Sequence, residues 1–156
     1  MGSKPDYGQV AGPLVTVKVP AAASQNFERK SGKFVYSASG YMTIAASGAD
    51  ELFGWALVGD VTTGTTAGDD ELSVNISPDA VYEMPIDTAQ TEAQLIALIG
   101  KCCDIVTTSN IQYADHDAAT DLVLQIVGYR YYESGLGGQT LYVRLNPAQL
   151  GQSGVV

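Results

Sequence analysis

Residues 121–146 read DLVLQIVGYRYYESGLGGQTLYVRLN, and the two strand-like runs in this stretch decide the predicted fold. In the run LYVRL, leucine and valine alternate with tyrosine and arginine, which is the period of two expected of a strand with one buried face. The glycine-rich segment SGLGG between the runs favours a hairpin turn. We therefore predict an antiparallel hairpin that joins strands at 121–133 and 139–146.

The rest of the chain shows the same strand pattern, except in one segment where the apolar residues have the spacing of a helix. The segment TEAQ at 91–94 is a capping box, and apolar residues at helical spacing follow it before Gly100. This predicts one short amphipathic α-helix over about 91–99. Further strands are predicted at 13–19, 33–38, 41–45, 51–59, 72–76, 80–84, 102–108 and 111–115. Nine to ten short strands with one helix predict an all-β fold, either a small β-barrel or a β-sandwich.

The 156 residues are predicted to form a single domain. The polar, glycine-rich residues 1–12 predict a flexible N-terminal arm, residues 13–147 a single β-rich domain, and residues 148–156 a C-terminal tail. A long exposed loop is expected at 60–71. Gly54 interrupts the apolar run at 51–59, which indicates a bulge or a close approach of another backbone.

The charge balance excludes several partners. Seventeen acidic and eight basic residues give a net charge of −9, so the protein repels nucleic acid. No apolar run approaches the roughly 18 residues that a membrane-spanning helix needs. The first residues lack the apolar stretch of a signal peptide, which predicts synthesis and folding in a cytoplasm. Only 16% of the residues are charged, and many are small, which favours a surface that packs against neighbours.

The segment YADHDAATD at 113–121 holds the single histidine, His116, with Asp115, Asp117 and Asp121 close by. A zinc site needs about four ligands at recognisable spacing, and the chain offers few nitrogen or sulfur ligands. A calcium loop would need glycine at its sixth position and glutamate at its twelfth, which this segment lacks. We interpret it as a polar turn and predict neither a metal site nor a cofactor.

Catalytic patterns are equally weak. Cys102 and Cys103 could supply a nucleophile beside His116, but they lie in an apolar strand, where a thiol is usually inert. The glycine-framed serine of hydrolases, the P-loop and the dinucleotide fingerprint are all absent. Asn75 begins a glycosylation sequon, which we interpret as an unmodified, outward-facing residue of a strand. We therefore predict no enzymatic activity.

The aromatic hairpin is the candidate interaction surface. Tyrosine and arginine are favoured anchors at protein interfaces. The alternative is cross-strand pairing on a solvent-exposed face. Because adjacent tyrosines of one strand point to both faces, we favour the interface. The candidate residues are Tyr129, Arg130, Tyr131, Tyr132, Tyr142 and Arg144.

Four blocks resemble a known family in their order and spacing. They are a Gly-Trp-Ala block, a V-Y-x-x-P block before the short helix, a C-D-I strand and a terminal V-R-x-N-P strand. Over about residues 30–148 the chain resembles small structural proteins of tailed bacteriophages, which are encoded among the head genes and act as capsid decoration, or cement, proteins. The family has no fixed functional motif, so no site residue is carried over.

The resemblance implies a β-rich protein made in the host cytoplasm and located on the outer surface of the virion capsid. It implies contacts with the major capsid protein and with itself, often as a homotrimer, and no contact with nucleic acid or membrane. The acidic composition agrees, because such a protein would be repelled from the DNA-filled interior.

Two other functions remain open. One is another virion component, such as a tail-tube, head-completion or receptor-binding protein. The other is a small carbohydrate-binding module that uses Trp55 or the tyrosines as stacking platforms, although Trp55 lies in an apolar strand, where core packing is expected.

Overall fold

The computed structural model describes residues 7–49, 51–131 and 139–148, which form a sandwich-like all-β fold with a single short helix. The predicted fold class is therefore confirmed, with more strands than the nine to ten expected. The helix is α1 (Glu92–Leu98). The strands are β1 (Gln9–Ala11), β2 (Thr16–Pro20), β3 (Asn26–Phe27), β4 (Phe34–Ala38), β5 (Tyr41–Ile44), β6 (Gly54–Ala56), β7 (Val61–Thr62), β8 (Glu71–Asn75), β9 (Val81–Pro85), β10 (Cys102–Thr108), β11 (Ile111–Asp115), β12 (Leu124–Arg130) and β13 (Thr140–Leu145).

The strands form two large sheets and one small one. The six-stranded sheet has the order β1-β9-β13-β12-β10-β11, the five-stranded sheet has the order β2-β8-β6-β4-β5, and β3 pairs with β7. Each large sheet bends so that distant strands approach at one isolated bridge, Ala21 with Met42 in one sheet and Ile86 with Ala114 in the other. A single bridge is not a continuous ladder, so neither sheet closes into a barrel within the described residues.

The first hydrophobic core lies between the two large sheets. Phe34 and Trp55 of the five-stranded sheet meet Tyr82 of the six-stranded sheet. The ring centroids of Trp55 and Tyr82 are 4.6 Å apart and nearly parallel, while Phe34 meets Trp55 edge-on at 4.8 Å. Aromatic rings prefer offset or edge-on contacts of this kind. Trp55 thus joins the two sheets.

A second core covers the other face of the five-stranded sheet. Val35, Ala56 and Val74 pack there with Phe27 of β3. Because this sheet is buried on both faces, its central strand β6 is apolar on both sides, as the sequence predicted. That strand is shorter than the expected 51–59.

One buried side chain links the two large sheets by hydrogen bonds. Gln112 of β11 is 1% exposed, and its amide donates to the carbonyls of Phe34 and Ala45 and accepts from the N–H of Phe34. A side-chain Cβ at position 32 would lie 2.8 Å from Oε1 of Gln112. Gly32 is therefore needed for this close approach.

Helix α1 forms as its sequence predicts. Thr91 is the N-cap, and it exchanges side-chain hydrogen bonds with Gln94 in a complete capping box. Leu95 and Leu98 enter the first core, and Gly100 ends the helix with a φ of 89°. Positive φ values are accessible to glycine without strain.

Three short strands were not predicted, because each depends on pairing with a distant segment. β1 lies in the expected flexible arm, yet it pairs with β9, and the preceding Tyr7 is 2% exposed. The arm prediction is therefore wrong for residues 7–12, while residues 1–6 lie outside the described part. β7 lies in the expected loop 60–71 and pairs with β3.

Candidate functional site

The predicted Tyr/Arg surface is divided between two faces of the six-stranded sheet. Tyr142 and Arg144 alternate along β13 with the buried Leu141 and Val143, so they point away from the core. Arg130 lies on the same outer face, where its Nε is 3.4 Å from Oη of Tyr142 and 3.4 Å from Oε2 of Glu83. We call Arg130, Tyr142 and Arg144 the outer-face cluster.

The outer-face cluster is held by its neighbours. A Cβ on Gly128 would lie 3.0 Å from the ring of Tyr142, so the ring lies against the glycine. The Nε of Arg144 donates to Oε1 of Gln125 at 2.8 Å. These contacts fix the directions of the Tyr142 and Arg144 side chains, both of which remain partly exposed.

The remaining predicted tyrosines lie elsewhere. Tyr129 and Tyr131 pack against the first core, and the Tyr129 hydroxyl donates to Oε2 of Glu92 in α1 at 3.0 Å. This hydrogen bond to a carboxylate raises the pKa of Tyr129. Tyr132 lies outside the described residues. The sequence therefore identified the surface residues of β13 but did not separate the two faces of β12, because Val127 is a bulge that shifts the register.

A second surface was missed by the sequence analysis. The segment at residues 9–15, which comprises β1 and its connection to β2, exposes three apolar side chains. Val10 is 48% exposed, Leu14 is 59% exposed and Val15 is 49% exposed. Apolar side chains that cluster at the surface often mark interaction sites.

This 9–15 segment is fixed in one conformation. The side-chain nitrogen Nε2 of Gln9 donates to the backbone carbonyls of Ala11, Gly12 and Pro13 at 2.8–3.1 Å. Gly12 has a φ of 88°, and a Cβ there would lie only 2.3 Å from the carbonyl oxygen of Asp79. The segment is thus closely fitted against the turn that precedes β9.

Asn75 completes the attachment of the 9–15 segment. Its amide donates to Oε1 of Gln9 and to the carbonyl of Pro13, and its Oδ1 accepts from the N–H of Val15. The residue is 0% exposed. The interpretation of Asn75 as an outward-facing residue is therefore wrong, since its side chain is buried and forms hydrogen bonds to the 9–15 segment.

His116 meets an aspartate that the sequence analysis did not consider. Its Nδ1 is 2.7 Å from Oδ1 of Asp87, which lies two residues after β9. Asp117 completes a group in which one possible ligand atom from each residue lies within 4.8 Å of the others. Asp87 is 29 residues away in sequence, so only the bridge between Ile86 and Ala114 reveals the proximity.

Two further carboxylates lie on β10 and β11. Asp104 and Asp115 are directly opposite on β10 and β11. Burial raises the pKa of Asp115, and its hydrogen bond with Asp117 raises it further. Burial also raises the pKa of Asp104, followed by the charge of Asp121. We call Asp87, Asp104, Asp115, His116 and Asp117 the acidic cluster.

Of the two cysteines considered as nucleophiles, Cys102 is partly exposed and Cys103 is buried. Cys103 is 0% exposed in the first core, and burial raises the pKa of its thiol strongly. Within the described residues, the group of ligand side chains around His116 contains no cysteine. Trp55 is 1% exposed, which removes it as a surface platform for a sugar.

No protein-family model, curated protein or solved structure matches this chain. Over the described ranges, no helix is long and apolar enough to cross a membrane.

Proposed function

We propose that this protein is a non-enzymatic structural protein of a bacteriophage virion, which decorates the outer surface of the capsid and stabilises it by bridging capsid subunits. The order of the sequence blocks supports this class of partner. The contact surface is supported by the 9–15 segment, whose three exposed apolar side chains are held on a rigid backbone.

Rigidity matters because binding normally requires groups at the interface to lose conformational freedom. Immobilising one flexible side chain or loop residue opposes association by about 0.5–1.5 kcal/mol. Gln9 and Asn75 already hold the backbone of the 9–15 segment through hydrogen bonds. Burial of Leu14 and Val15 against a shell subunit would therefore contribute to affinity with little ordering of the backbone.

The outer-face cluster offers a second contact of different chemistry. Arg130, Tyr142 and Arg144 combine planar groups with positive charge on a protein of net charge −9. Arginine and tyrosine are enriched at binding hot spots. Two contact surfaces on one molecule would allow each copy to hold two neighbouring subunits, so that the loss of either subunit breaks additional contacts.

A capsid-binding assay tests the proposal. DNA-filled phage capsids that lack this protein would be mixed with the wild-type chain and with Leu14→Ser. Sedimentation measures binding, and a dye that reports DNA release measures the rupture temperature. We expect the wild type to bind and to raise the rupture temperature. The serine variant should bind at least about tenfold more weakly, because an apolar side chain contributes about 1.5–3 kcal/mol when it is fully buried.

Val61→Ser is the matched control. Val61 is 42% exposed on the small β3–β7 sheet, so the substitution removes a similar apolar side chain from another surface. It should bind as the wild type does. A wild-type chain that neither binds capsids nor changes their rupture temperature would disprove the proposed function.

A further inference from the structure

The outer edge of β2 leaves backbone groups unpaired. Within the described residues β2 is an edge strand of the five-stranded sheet, with β8 as its paired neighbour. The carbonyl of Val15 accepts from the N–H of Ile76, so the odd-numbered residues of this stretch face β8. In an antiparallel pair, the residues between them direct their N–H and C=O groups away from the partner strand. The outward-facing residues are Leu14, Thr16 and Lys18.

This edge has a defined length, and we call residues 14–18 the open edge. It ends before Pro20, because proline has no N–H to donate. The next residue, Ala21, is bridged to β5, which covers the edge beyond that point. At the other end, Oδ1 of Asn75 accepts from the N–H of Val15 at 3.1 Å and keeps the chain beside β8. The open edge is therefore one short, straight segment with its centre at position 16.

We propose that the open edges of two copies of this chain pair in antiparallel orientation around a two-fold axis at Thr16, which joins the two five-stranded sheets into one. In this register Thr16 lies opposite Thr16 of the second copy, and Leu14 lies opposite Lys18 of the second copy. Each facing pair exchanges two backbone hydrogen bonds, which gives about six between the copies. The unpaired backbone groups of an edge strand are a template for such pairing.

The side chains of the open edge are complementary to a second copy of themselves in this register. Two threonines that face each other form a favourable cross-strand pair. Leu14, which is 59% exposed, covers the alkyl part of Lys18 of the second copy, while the ammonium group stays in water. On the opposite face of the strand, Val15 is 49% exposed and meets Val17 of the second copy. Pairing therefore removes apolar side chains of both copies from water.

Charge favours both this register and a second copy as the occupant. Lys18 is the single charged residue of the open edge, and the two lysines of the dimer would be about 14 Å apart, four residues along the paired strands. An axis at Lys18 would instead place the lysines opposite each other, and like charges in that arrangement destabilise a sheet. That register would also bring Pro20 into the ladder. Each lysine brings a positive charge to a copy whose net charge is −9.

The contact is small, so the dimer should be reversible. A stable interface of standard size uses about 20–30 residues a side, whereas the open edge has far fewer. Gln9 and Asn75 already order this backbone, which reduces the loss of conformational freedom on pairing. Both Leu14 side chains lie on one face of the joined sheets, where capsid subunits can still contact them. The inference does not depend on the capsid function, and a two-fold dimer differs from the trimer that the resemblance implies.

Analytical ultracentrifugation of the full-length chain at increasing concentration tests the pairing. We expect the average mass to rise from monomer towards dimer, with a Kd between about 1 µM and 1 mM. Thr16→Pro removes the two central hydrogen bonds of the dimer and should weaken it at least about tenfold. Because the N–H of Thr16 faces away from β8, this variant should keep the fold, which circular dichroism checks. Thr16→Val is the matched control, since it retains the N–H and should dimerise as the wild type does.

Cross-linking identifies the register without a proline. Thr16→Cys and Lys18→Cys are each made in a Cys102→Ser background, because Cys102 is partly exposed. The two Cα atoms at position 16 would be about 5.5 Å apart in the dimer. A short bismaleimide should therefore link Thr16→Cys chains into dimers and leave Lys18→Cys chains unlinked.

Three results would overturn the inference. The wild type could stay monomeric up to about 1 mM or form a trimer instead of a dimer. A folded Thr16→Pro variant could dimerise as well as the wild type, which would place the contact on another surface. Lys18→Cys could cross-link as readily as Thr16→Cys, which would exclude an axis at Thr16.

Discussion

At the scale of single residues, buried polar side chains determine how the segments of this protein are held. Asn75 and Gln112 are almost fully buried, and each joins segments that are distant in sequence through several hydrogen bonds. Such groups destabilise a fold when they are left unpaired and fix one arrangement when every atom is satisfied. Asp104 and Tyr82 are exceptions, because Oδ1 of Asp104 and the Tyr82 hydroxyl have no hydrogen-bond partner among the described residues.

We predict that Asp104→Asn stabilises the protein at neutral pH. Burial, and then the charge of Asp121, raise the pKa of Asp104 in the folded state. The folded protein therefore holds this proton more tightly than the unfolded chain, and stability falls as the pH rises through the folded pKa. Removing the charge should raise the unfolding temperature at pH 7 by about 2–4 °C, which corresponds to about 1 kcal/mol.

The stabilisation should disappear in acid, where Asp104 is protonated in both states. Thermal scans at pH 7 and near pH 2.5 measure the difference. Asp79→Asn, at an exposed position, should leave stability almost unchanged at both pH values. A destabilised Asp104→Asn variant at pH 7 would contradict the assigned cause.

The two adjacent cysteines should differ in reactivity. Cys103 is fully buried and burial raises the pKa of its thiol, whereas Cys102 is partly exposed. Since the thiolate is the reactive form, a thiol reagent such as Ellman's reagent should label one cysteine per chain under native conditions and both after unfolding. Equal labelling rates for both thiols in the native protein would show that the first core opens easily.

At the scale of secondary-structure elements, the close approach of strands depends on glycine. Gly54 begins β6, between β4 and β8, and a Cβ there would lie 2.3 Å from the carbonyl oxygen of Asn75. The sequence predicted a bulge or a close backbone approach at this position, and the close approach is confirmed. The contact is with backbone, so a larger residue cannot be accommodated by a rotamer change.

Gly54→Ala should therefore destabilise the protein by about 3 kcal/mol, at the upper end of the range for overpacked cores. Denaturant unfolding measures this free energy. Gly8→Ala is the control, because a Cβ at that position meets nothing within 4 Å, and its effect should stay within about 0.5 kcal/mol. A small effect of Gly54→Ala would mean that β6 and β8 can separate without loss of packing.

The elements that the sequence predicted well are those with a strong local signal. Helix α1 has a complete capping box and a glycine stop, and β10 and β11 have the predicted bounds of 102–108 and 111–115. β1, β3 and β7 have two or three residues each and form only because a distant partner is present. Local periodicity cannot reveal such pairing.

The same limit applies to the candidate sites. The sequence drew attention to His116 and its neighbouring aspartates, but the register of the folded sheet supplies Asp87. It identified Tyr142 and Arg144 as surface residues, yet the apolar side chains of the 9–15 segment were assigned partly to a flexible arm. The adjacent apolar residues Leu14 and Val15 were the available signal in the sequence. The alternating pattern of the predicted strand at 13–19 explained them equally well.

At the scale of the whole molecule, the five-stranded sheet lies between the two hydrophobic cores and contributes side chains to both. One face of the five-stranded sheet packs on the six-stranded sheet, and the other face packs on β3. Disrupting this sheet therefore exposes apolar surface on both sides at once. The packing indicates one cooperative unit.

We therefore predict a single unfolding transition. Trp55 fluorescence reports the contact between the large sheets, and far-ultraviolet circular dichroism reports the strands. The two signals should change at the same denaturant concentration, which is the test of two-state behaviour. Fluorescence that changes well before circular dichroism would mean that the two large sheets unfold separately.

The pairing of β1 with β9 has a consequence for synthesis of the chain. β1 begins at Gln9, and its partner strand ends at Pro85, so β1 cannot pair until the ribosome has translated the chain as far as β9. Likewise, β2 cannot pair until β8 has been translated. Topologies dominated by such long-range pairs fold slowly. The nascent chain thus exposes the apolar residues beside Gln9 until β9 emerges, and chaperones that bind emerging polypeptides would meet these residues during that interval.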